Sequence, residues 1–537
     1  MAGLLLTLAF LQFNLAALAW VAPGLLLLAT AGTAPRDAFR IGYAGALAHY
    51  LSSLYWLLHL PFPQTAWLGW LALGAYCALY PATWAWLCWK LAPRGDAPAV
   101  AQKMEGGFPD GDSLLAAGWC RRQCWLLLCA AAWVALELVR GWLLTGFPWN
   151  FLGVSHYQAL PLVQIASLTG VLGLSFLLVW FSAALLSTSF HILRRPMARG
   201  AWLAEMILPT AVLLLVAAWG FVRISRTESE RRDVRVAMIQ PSVPQKIKFS
   251  LQENAKAFER VLELSGLALA TKPDLLIWPE AVTPGLLRFD EKVLAAVTNL
   301  ARTHGVWILL GADDAERRAG ALQEVNYFNS AFLVSPQGQL AAKYDKRHLV
   351  IFGEYVPLAK WLPFLKWLTP VGEGFAAGTA PAHLEITHPI HRAILSPLIC
   401  FEDLLPRLAR ESAAGADILV NLTNGGWFGE GAQQWQHAAN ALFRSVETGR
   451  PLVRCTNNGM TCWVDAHGRL HETHFGDSPD VHGAGFKTAI IPIGPRTQTF
   501  YQRHGDWFAW GCAGVVFLAW LGAGRAKKVW AREGGKP

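Results

Sequence analysis

A chain of 537 residues is too long for a single compact domain. Hydrophobic residues make up 54% of it and charged residues only 15%, against roughly 25% in an average soluble chain, which indicates a membrane protein and not an ordinary soluble one. The net charge of +9 does not indicate nucleic-acid binding, because much of the basic charge lies in short loops between apolar stretches.

Apolar stretches near or above the ~20 residues needed to cross a bilayer recur along the chain. We predict spans near residues 40–61, 65–91, 123–144, 160–190, 201–222 and 506–524. Residues 2–32 are also apolar, but Pro23 and Gly24 interrupt them, so they form either one span or two. No basic segment precedes this stretch, and we therefore expect no cleavable signal peptide.

The distribution of basic residues gives an orientation. Four regions are rich in Arg and Lys, at residues 36–40, 90–122, 194–199 and 525–532. They alternate with regions near 61–65 and 141–159 that are poor in basic residues, so all four can be cytoplasmic at once. The long segment between the last two predicted spans then lies outside, in the periplasm of a cell that has one.

Two charged residues, Glu137 and Arg140, stand inside the third predicted span. Their i, i+3 spacing places both side chains on one face of a helix. A charge within a span indicates a functional site. A structural pair near the outer interface explains the same pattern equally well, and both interpretations stay open.

From about residue 234 to 495, short β-branched or apolar runs alternate with helical stretches. Predicted strands lie at 234–239, 275–278, 306–310, 393–400, 418–422, 451–455 and 461–465, and two further strands form a predicted hairpin around 336–338. Predicted helices lie at 251–271, 290–304 and 433–448. This alternation indicates an α/β or α+β sandwich of roughly 260 residues. The predicted parts are N-terminal transmembrane helices at 1–222, a soluble domain at 234–495, a C-terminal transmembrane helix at 504–525 and a basic cytoplasmic tail at 526–537.

Glu280, Lys346 and Cys400 each follow or end a strand-like run, where a rigid scaffold commonly presents catalytic groups on loops. A carboxylate, an ammonium and a thiol are the parts needed for acyl transfer through a thioester. Glu280 can take the thiol proton, and Lys346 can stabilise the thiolate and then the oxyanion. Glu354 can hold Lys346 as an ion-pair partner, and Glu402 can orient the site or assist a proton transfer.

Spacing alone also allows structural explanations. A cysteine in an apolar run is more often a core residue than a nucleophile. We expect His348 and His437 to be hydrogen-bonded structural histidines. Cys455 and Cys462 look like strand residues, and whether they pair as a disulfide in an oxidising compartment stays open.

The sequence motifs around these residues are specific. The segment 276–280 (LIWPE), the segment 344–354 (YDKRHLVIFGE) and the segment 399–402 (ICFE) resemble the base, lysine and nucleophile segments of bacterial apolipoprotein N-acyltransferases. That family is a membrane acyltransferase subgroup of the carbon–nitrogen hydrolase, or nitrilase, superfamily. The segment 140–149 (RGWLLTGFPW) is similar to a membrane-proximal motif that a soluble nitrilase would not carry.

The resemblance implies a fold, a site and a reaction. The fold is an αββα nitrilase-like sandwich on a polytopic bundle of seven to eight helices, in the bacterial inner membrane with the catalytic domain in the periplasm. The triad is Glu280 as base, Lys346 and the nucleophile Cys400, with Glu354 as the second glutamate. In a ping-pong reaction, Cys400 takes an acyl chain from a phospholipid, for which we expect phosphatidylethanolamine, and passes it to the α-amine of a diacylglyceryl apolipoprotein. We expect a monomer that needs no cofactor or metal.

The chain departs from the family pattern at Phe401, where tyrosine is common, at Phe249, where tryptophan often stands, and at Gly425, where aspartate is usual. These departures bear on substrate preference, since all three triad residues are present. We expect lipid or substrate contacts from Phe249, Trp361, Trp367, Phe401, Glu137 and Arg140.

Two other functions stay open. A membrane-tethered amidase would use the same triad with water as the acceptor, and a non-catalytic scaffold would carry a degenerate domain of the same fold. The intact triad argues against the scaffold. Mass spectrometry of Cys400 would distinguish the three functions. A fatty-acyl adduct from phospholipid would support acyl transfer, an adduct only from small amides would support the amidase, and no adduct would support the scaffold.

The segment 358–368 is unusually apolar for a connection, and we predict that it dips into the outer leaflet as a lid, with ordinary core packing as the alternative. Replacing Trp361 and Trp367 with serine should then lower acyl transfer without unfolding the domain. An activity assay alongside circular dichroism measures both effects. Full activity in the double variant would rule out the lid.

Overall fold

A computed structural model describes residues 1–10, 13–93, 111–226, 232–245, 251–317, 325–359, 361–369, 374–388, 391–475 and 480–532. The chain forms two compact units. The helical unit comprises Met1–Tyr55, Leu68–Arg226 and His504–Pro537, and the sandwich unit comprises Trp56–Trp67 and Thr227–Arg503.

The α-helices begin and end as follows: α1 Ala2–Leu8, α2 Ala22–Ala29, α3 Pro35–Ser53, α4 Pro63–Leu91, α5 Gly111–Ala116, α6 Trp119–Arg140, α7 Leu160–Val163, α8 Ala166–Thr169, α9 Val171–Arg194, α10 Arg199–Ser225, α11 Leu251–Leu269, α12 Glu291–His304, α13 Pro406–Ala413, α14 Ala432–Thr448, α15 Phe500–His504 and α16 Trp507–Arg532. Within the described residues, α4, α6, α9 and α10 are long and apolar enough to cross a membrane. These four confirm that the chain has membrane-spanning character, while the total of seven to eight helices stays a prediction.

Three predicted spans differ from the observed helices. The region 160–190 is broken, because Gly170 adopts φ +70° and separates the short helix α8 from α9. The span predicted at 40–61 corresponds to α3, which ends at Ser53. The apolar part of α16, Trp507–Ala523, is shorter than the spanning helices. Residues 2–32 contain two short helices, α1 and α2, and neither is as long as a bilayer crossing requires.

The sandwich unit contains two six-stranded sheets. The strands are β1 Arg232–Gln240, β2 Leu275–Ile277, β3 Trp307–Arg317, β4 Val325–Val334, β5 Leu340–Asp345, β6 Leu384–His388, β7 His391–Ile399, β8 Ile418–Thr423, β9 Leu452–Thr456, β10 Cys462–Val464, β11 Leu470–His471 and β12 Gly485–Ile493. Their orders are β12-β1-β2-β3-β4-β5 and β11-β10-β9-β8-β7-β6. The central strands β1-β2-β3 and β7-β8-β9 run parallel, and the outer pairs are antiparallel.

Alternation along the strands gives each sheet two apolar faces. Leu275 and Ile277 of β2 join a core that contains side chains from both sheets, whereas Leu276 joins a second core with α11 and α12. The two sheets therefore pack face to face with helices outside, which confirms the predicted αββα sandwich. Helix α12 begins where Asp290 accepts hydrogen bonds from the backbone of Lys292 and Val293, as expected for an N-cap.

The inner core should carry much of the stability of the sandwich unit. Replacing the fully buried Leu309 of β3 with alanine should lower its free energy of unfolding by about 2–5 kcal/mol, because the substitution leaves a cavity. Hydrogen exchange of the β2 and β3 backbone amides measures the change. The matched control is Leu267→Ala on α11, where the side chain is 62% exposed. Equal protection in the two variants would contradict the assignment of the core.

Candidate active site

The predicted nucleophile, Cys400, lies at the end of β7, where the strand gives way to a 3₁₀ helix over Cys400–Leu404. It adopts φ +52°, a left-handed conformation that costs a non-glycine residue about 1 kcal/mol or more. Its side chain is half-buried. The sharp turn presents the thiol at the end of a rigid strand.

Lys346 follows β5 and is almost completely buried. Its Nζ lies 2.8 Å from Oε1 of Glu354 and 3.7 Å from Oε1 of Glu280. Burial alone would lower the pKa of Lys346, but the negative charges of Glu354 and Glu280 outweigh it and hold the pKa above its ordinary value. Lys346 is therefore a fixed positive charge between two carboxylates.

Asn329 of β4 links the same two carboxylates. Its side-chain Nδ2 donates to Oε1 of Glu280 at 2.8 Å and to Oε1 of Glu354 at 3.1 Å. Its backbone carbonyl oxygen accepts from the backbone N–H of Lys346. Oε2 of Glu280 is buried and accepts no hydrogen bond from any residue that the structure describes. One oxygen of Glu280 is therefore held in place, and the other is available to accept a proton.

The charges of Glu280 and Lys346 both act on the Cys400 thiol. The pKa of Cys400 is raised to about 12, because burial and the charge of Glu280, which raise it, outweigh Lys346 and a hydrogen bond from Thr423, which lower it. The resting side chain is thus a neutral thiol. Because a thiolate is the nucleophilic form of cysteine, a reaction of Cys400 would require loss of this proton, for which the buried Glu280 is the predicted base.

Glu402 joins the nucleophile turn to the lysine segment. Its Oε1 accepts from the backbone N–H groups of Arg347 and His348 at 2.7 and 3.0 Å. Its Oε2 accepts from the Tyr344 hydroxyl at 2.8 Å and from the Ile399 backbone at 2.7 Å. Both oxygens are occupied, so Glu402 fixes the relative positions of Lys346 and Cys400 and is not placed to transfer protons.

The aromatic neighbour of the nucleophile, Phe401, stacks on the His348 ring with centroids 5.9 Å apart. Burial, together with the charge of Lys346, lowers the pKa of His348 to about 4. His348 is therefore uncharged at neutral pH, in keeping with the structural role expected for it. Cys455 and Cys462 are both buried, and each is a free thiol.

Four of the five other predicted contact residues lie within the described part of the chain. Trp361 and Trp367 are 82% and 85% exposed, which argues against core packing of their segment. Phe249 lies outside the described residues. Glu137 and Arg140 are buried within the helical unit.

Glu137 and Arg140 hold the chain that follows α6. Oε1 of Glu137 accepts from the Leu152 backbone at 2.7 Å, and Nη1 of Arg140 donates to the Trp149 carbonyl at 2.8 Å. The two charges themselves are 4.0 Å apart. These contacts favour the structural interpretation of the pair.

The departure at Gly425 has a steric cause. A Cβ atom at this position would lie 2.4 Å from the carbonyl oxygen of Asn458. The aspartate expected at this position from the resemblance does not fit without displacing the neighbouring backbone.

Both parts of the chain match known protein families. Residues 2–184 match the family model described as the apolipoprotein N-acyltransferase N-terminal domain, and residues 235–478 match that of the carbon–nitrogen hydrolases. An apolipoprotein N-acyltransferase from Geobacter metallireducens is 36% identical over 539 residues, covering 97% of this chain and 94% of that protein. One from Azotobacter vinelandii is 32% identical over 533 residues, covering 97% and 93%. Among solved structures, a variant of the amidase from Nesterenkonia sp. AN1 matches with a TM-score of 0.36 and 17% identity, covering 51% of this chain and 94% of that one.

The charge of Lys346 should control the reactivity of Cys400. Replacing Lys346 with methionine removes the positive charge that lowers the thiol pKa, so alkylation of Cys400 by iodoacetamide at pH 8 should slow at least about tenfold. Mass spectrometry of the labelled Cys400 peptide measures the rate. Lys343→Met, three residues earlier on β5, is the matched control, and its Nζ contacts Asp314 at 2.8 Å. Equal rates in the two variants would show that Lys346 does not act on the thiol.

Proposed function

The chain belongs to the apolipoprotein N-acyltransferase family, and from this premise we propose that it moves a fatty acyl chain from a phospholipid, through a thioester on Cys400, to the α-amine of a diacylglyceryl apolipoprotein. The observation that carries the proposal is the buried Lys346, held between Glu280 and Glu354 and acting on the Cys400 thiol. Membrane-spanning helices in the same chain support a lipid as the acyl donor.

In the first half-reaction the Cys400 sulfur attacks an ester carbonyl of the phospholipid. The thiol proton passes to Oε2 of Glu280, which accepts no hydrogen bond in the described structure. The S–C bond forms as the carbonyl oxygen becomes negative, and the fixed charge of Lys346 stabilises it. The C–O bond then breaks, and the lysophospholipid oxygen takes the proton from Glu280.

In the second half-reaction the lipoprotein amine attacks the thioester. Glu280 accepts a proton from the amine, and Lys346 again stabilises the oxyanion. The N–C bond forms and the S–C bond breaks, so that the amide leaves and Glu280 returns the proton to the Cys400 sulfur. Since Lys346 stays charged throughout, Glu280 carries the proton in both halves.

The finer assignments belong to the same proposal. Phosphatidylethanolamine is the expected donor. The alternation of basic loops supports a location in the bacterial inner membrane, with the domain at 234–495 in the periplasm between transmembrane parts at 1–222 and 504–525. A catalytic domain on that side would meet lipoproteins whose diacylglyceryl chains already anchor them in the outer leaflet.

The proposal predicts a defined covalent intermediate. Incubating the full chain in detergent with phosphatidylethanolamine bearing palmitate should add one palmitoyl group to Cys400, and a diacylglyceryl-cysteine peptide should then remove it and become N-acylated. Mass spectrometry of the Cys400 peptide and of the acceptor measures both halves. Cys400→Ser should form no thioester, while Cys455→Ser, which changes another buried cysteine of the sandwich unit, should behave as the parent chain does.

Three outcomes would contradict the function. If the parent chain forms no acyl adduct from phospholipid, the donor or the nucleophile is wrong. If an adduct forms only from small amides, or is lost to water as fast as to the amine peptide, the chain is an amidase. Absence of any adduct under all conditions would indicate a scaffold.

A further inference from the structure

A row of charged side chains lies along α13, just after the nucleophile turn, and the reaction described above makes no use of it. Nη1 of Arg347 contacts Oε2 of Glu411 at 2.9 Å. Arg407, one helical turn before Glu411, contacts Oε1 of the same carboxylate at 3.3 Å. These three side chains are called here the rim cluster. Because two guanidinium groups share one carboxylate, the rim cluster keeps a net positive charge.

The two arginines of the rim cluster differ in exposure. The Arg347 side chain is 11% exposed and also donates to the Ser412 hydroxyl and the Leu408 carbonyl, so α13 holds it in place. The Arg407 side chain is 52% exposed, and its carboxylate partner is 38% exposed. An exposed i, i+4 ion pair contributes little to stability. Arg407 can therefore exchange this contact for one with an incoming anion at small cost.

An aromatic pair connects Arg407 with the nucleophile. Phe401, the residue after Cys400, stacks on the His348 ring with centroids 5.9 Å apart. The charge of Arg407 acts on the same ring, since burial, Lys346 and Arg407 together lower the pKa of His348. Arg407 therefore lies near the nucleophile turn in space as well as in sequence.

A phospholipid carries an anion at a short distance from the ester that reacts. Only glycerol carbons and their oxygens separate its phosphodiester from the ester carbonyl, so an ester at the Cys400 sulfur brings the phosphate close to the nucleophile turn. The acyl chain itself has no charge for an arginine to recognise. A guanidinium, by contrast, binds phosphate oxygens through paired N–H donors.

We propose that Arg407 binds the phosphate of the phospholipid donor, and so selects esters that carry a phosphodiester over esters that do not. Glu411 moderates the positive charge of Arg407, and Arg347 keeps Glu411 in place. The inference rests on the proposed acyl transfer, because it takes a phospholipid as the donor. It adds a specificity-determining residue outside the triad.

Acyl donors with and without a phosphate separate this role from a structural one. The full chain in non-ionic detergent is given phosphatidylethanolamine, phosphatidylglycerol or p-nitrophenyl palmitate, each carrying palmitate, and mass spectrometry follows palmitoylation of Cys400. In Arg407→Gln, the rate at limiting donor should fall about tenfold with both phospholipids, because both lose the same charge-assisted contact. The maximal rate at saturating phospholipid should change little, since the contact is equal in the ground and transition states. With p-nitrophenyl palmitate, which has no phosphate, the rate should stay within about twofold of the parent rate.

A second variant should change the rates in the opposite direction. Glu411→Gln removes the negative charge between the two arginines, so the rate at limiting phospholipid should rise about threefold. The rate with p-nitrophenyl palmitate should stay at the parent value. A fall with the phospholipids in this variant would count against the inference.

The matched control is another exposed arginine of the sandwich unit with an i, i+4 carboxylate partner. Arg469 contacts Asp465 at 3.1 Å, and its side chain is 39% exposed. Arg469→Gln should leave the rates with all three donors unchanged. A fall with the phospholipids that matches the one in Arg407→Gln would show a general effect of surface charge on the lipid micelle, and would overturn the inference.

Three results in Arg407→Gln itself would also overturn the inference. Parental rates with both phospholipids would show that Arg407 binds no part of the donor. An equal fall with all three donors would show general damage to the site. A fall with phosphatidylethanolamine alone would show that the ethanolamine group, and not the phosphate, is recognised.

The parent chain tests the proposed function separately. If it is palmitoylated by p-nitrophenyl palmitate but by neither phospholipid, the proposed function fails, and the inference fails with it. If the parent chain accepts the phospholipids and Arg407→Gln gives any of the three results above, the inference alone fails.

Discussion

The arrangement of the site depends on one buried ammonium group. Lys346 is removed from water, and burying an unpaired charge is costly, so its two carboxylate partners are a requirement of the fold as well as of the chemistry. Because Glu354 lies closer and has an oxygen bonded to the Val350 backbone, it is the partner that fixes the lysine. Glu280 is thereby left with an oxygen for proton transfer. On the proposed mechanism, a thiol with a raised pKa can still react, because the charge that favours the thiolate and the proposed base both act on it.

Much of the sandwich could be predicted from the sequence, and the structure places two of the predicted site residues, Glu280 and Lys346, close together. Helices α12 and α14 and the central parallel strands carry strong local patterns, and their bounds agree with the prediction to within a few residues. Strands β6, β11 and β12 were not predicted. β12 pairs with β1 from the far end of the unit, so it is specified by a long-range partner more than by its own alternation.

The supporting residues of the site could not be predicted either, because their partners are also distant along the chain. Asn329 and Asn421 are polar residues within strands whose sequence does not mark them, and only the assembled sheets bring them to Glu280 and to Cys400. His437 is expected from the sequence to be structural, but its partners cannot be read from spacing, because Asp403 is 34 positions away along the chain. In the helical unit, the break at Gly170 was missed because apolar residues continue on both sides of it.

The connection between α3 and α4 has a practical consequence for isolating the soluble part. Trp56 donates to Gln436 of α14 at 3.2 Å and packs edge-on against Phe428, and Phe62 lies near Trp427. A polypeptide cut to begin after α10 would lack residues 56–67 and would expose the aromatic surface that they cover. Such a fragment would be prone to self-association. Supplying the twelve-residue peptide separately, or grafting it onto the fragment by a flexible linker, is therefore the rational route to a soluble form.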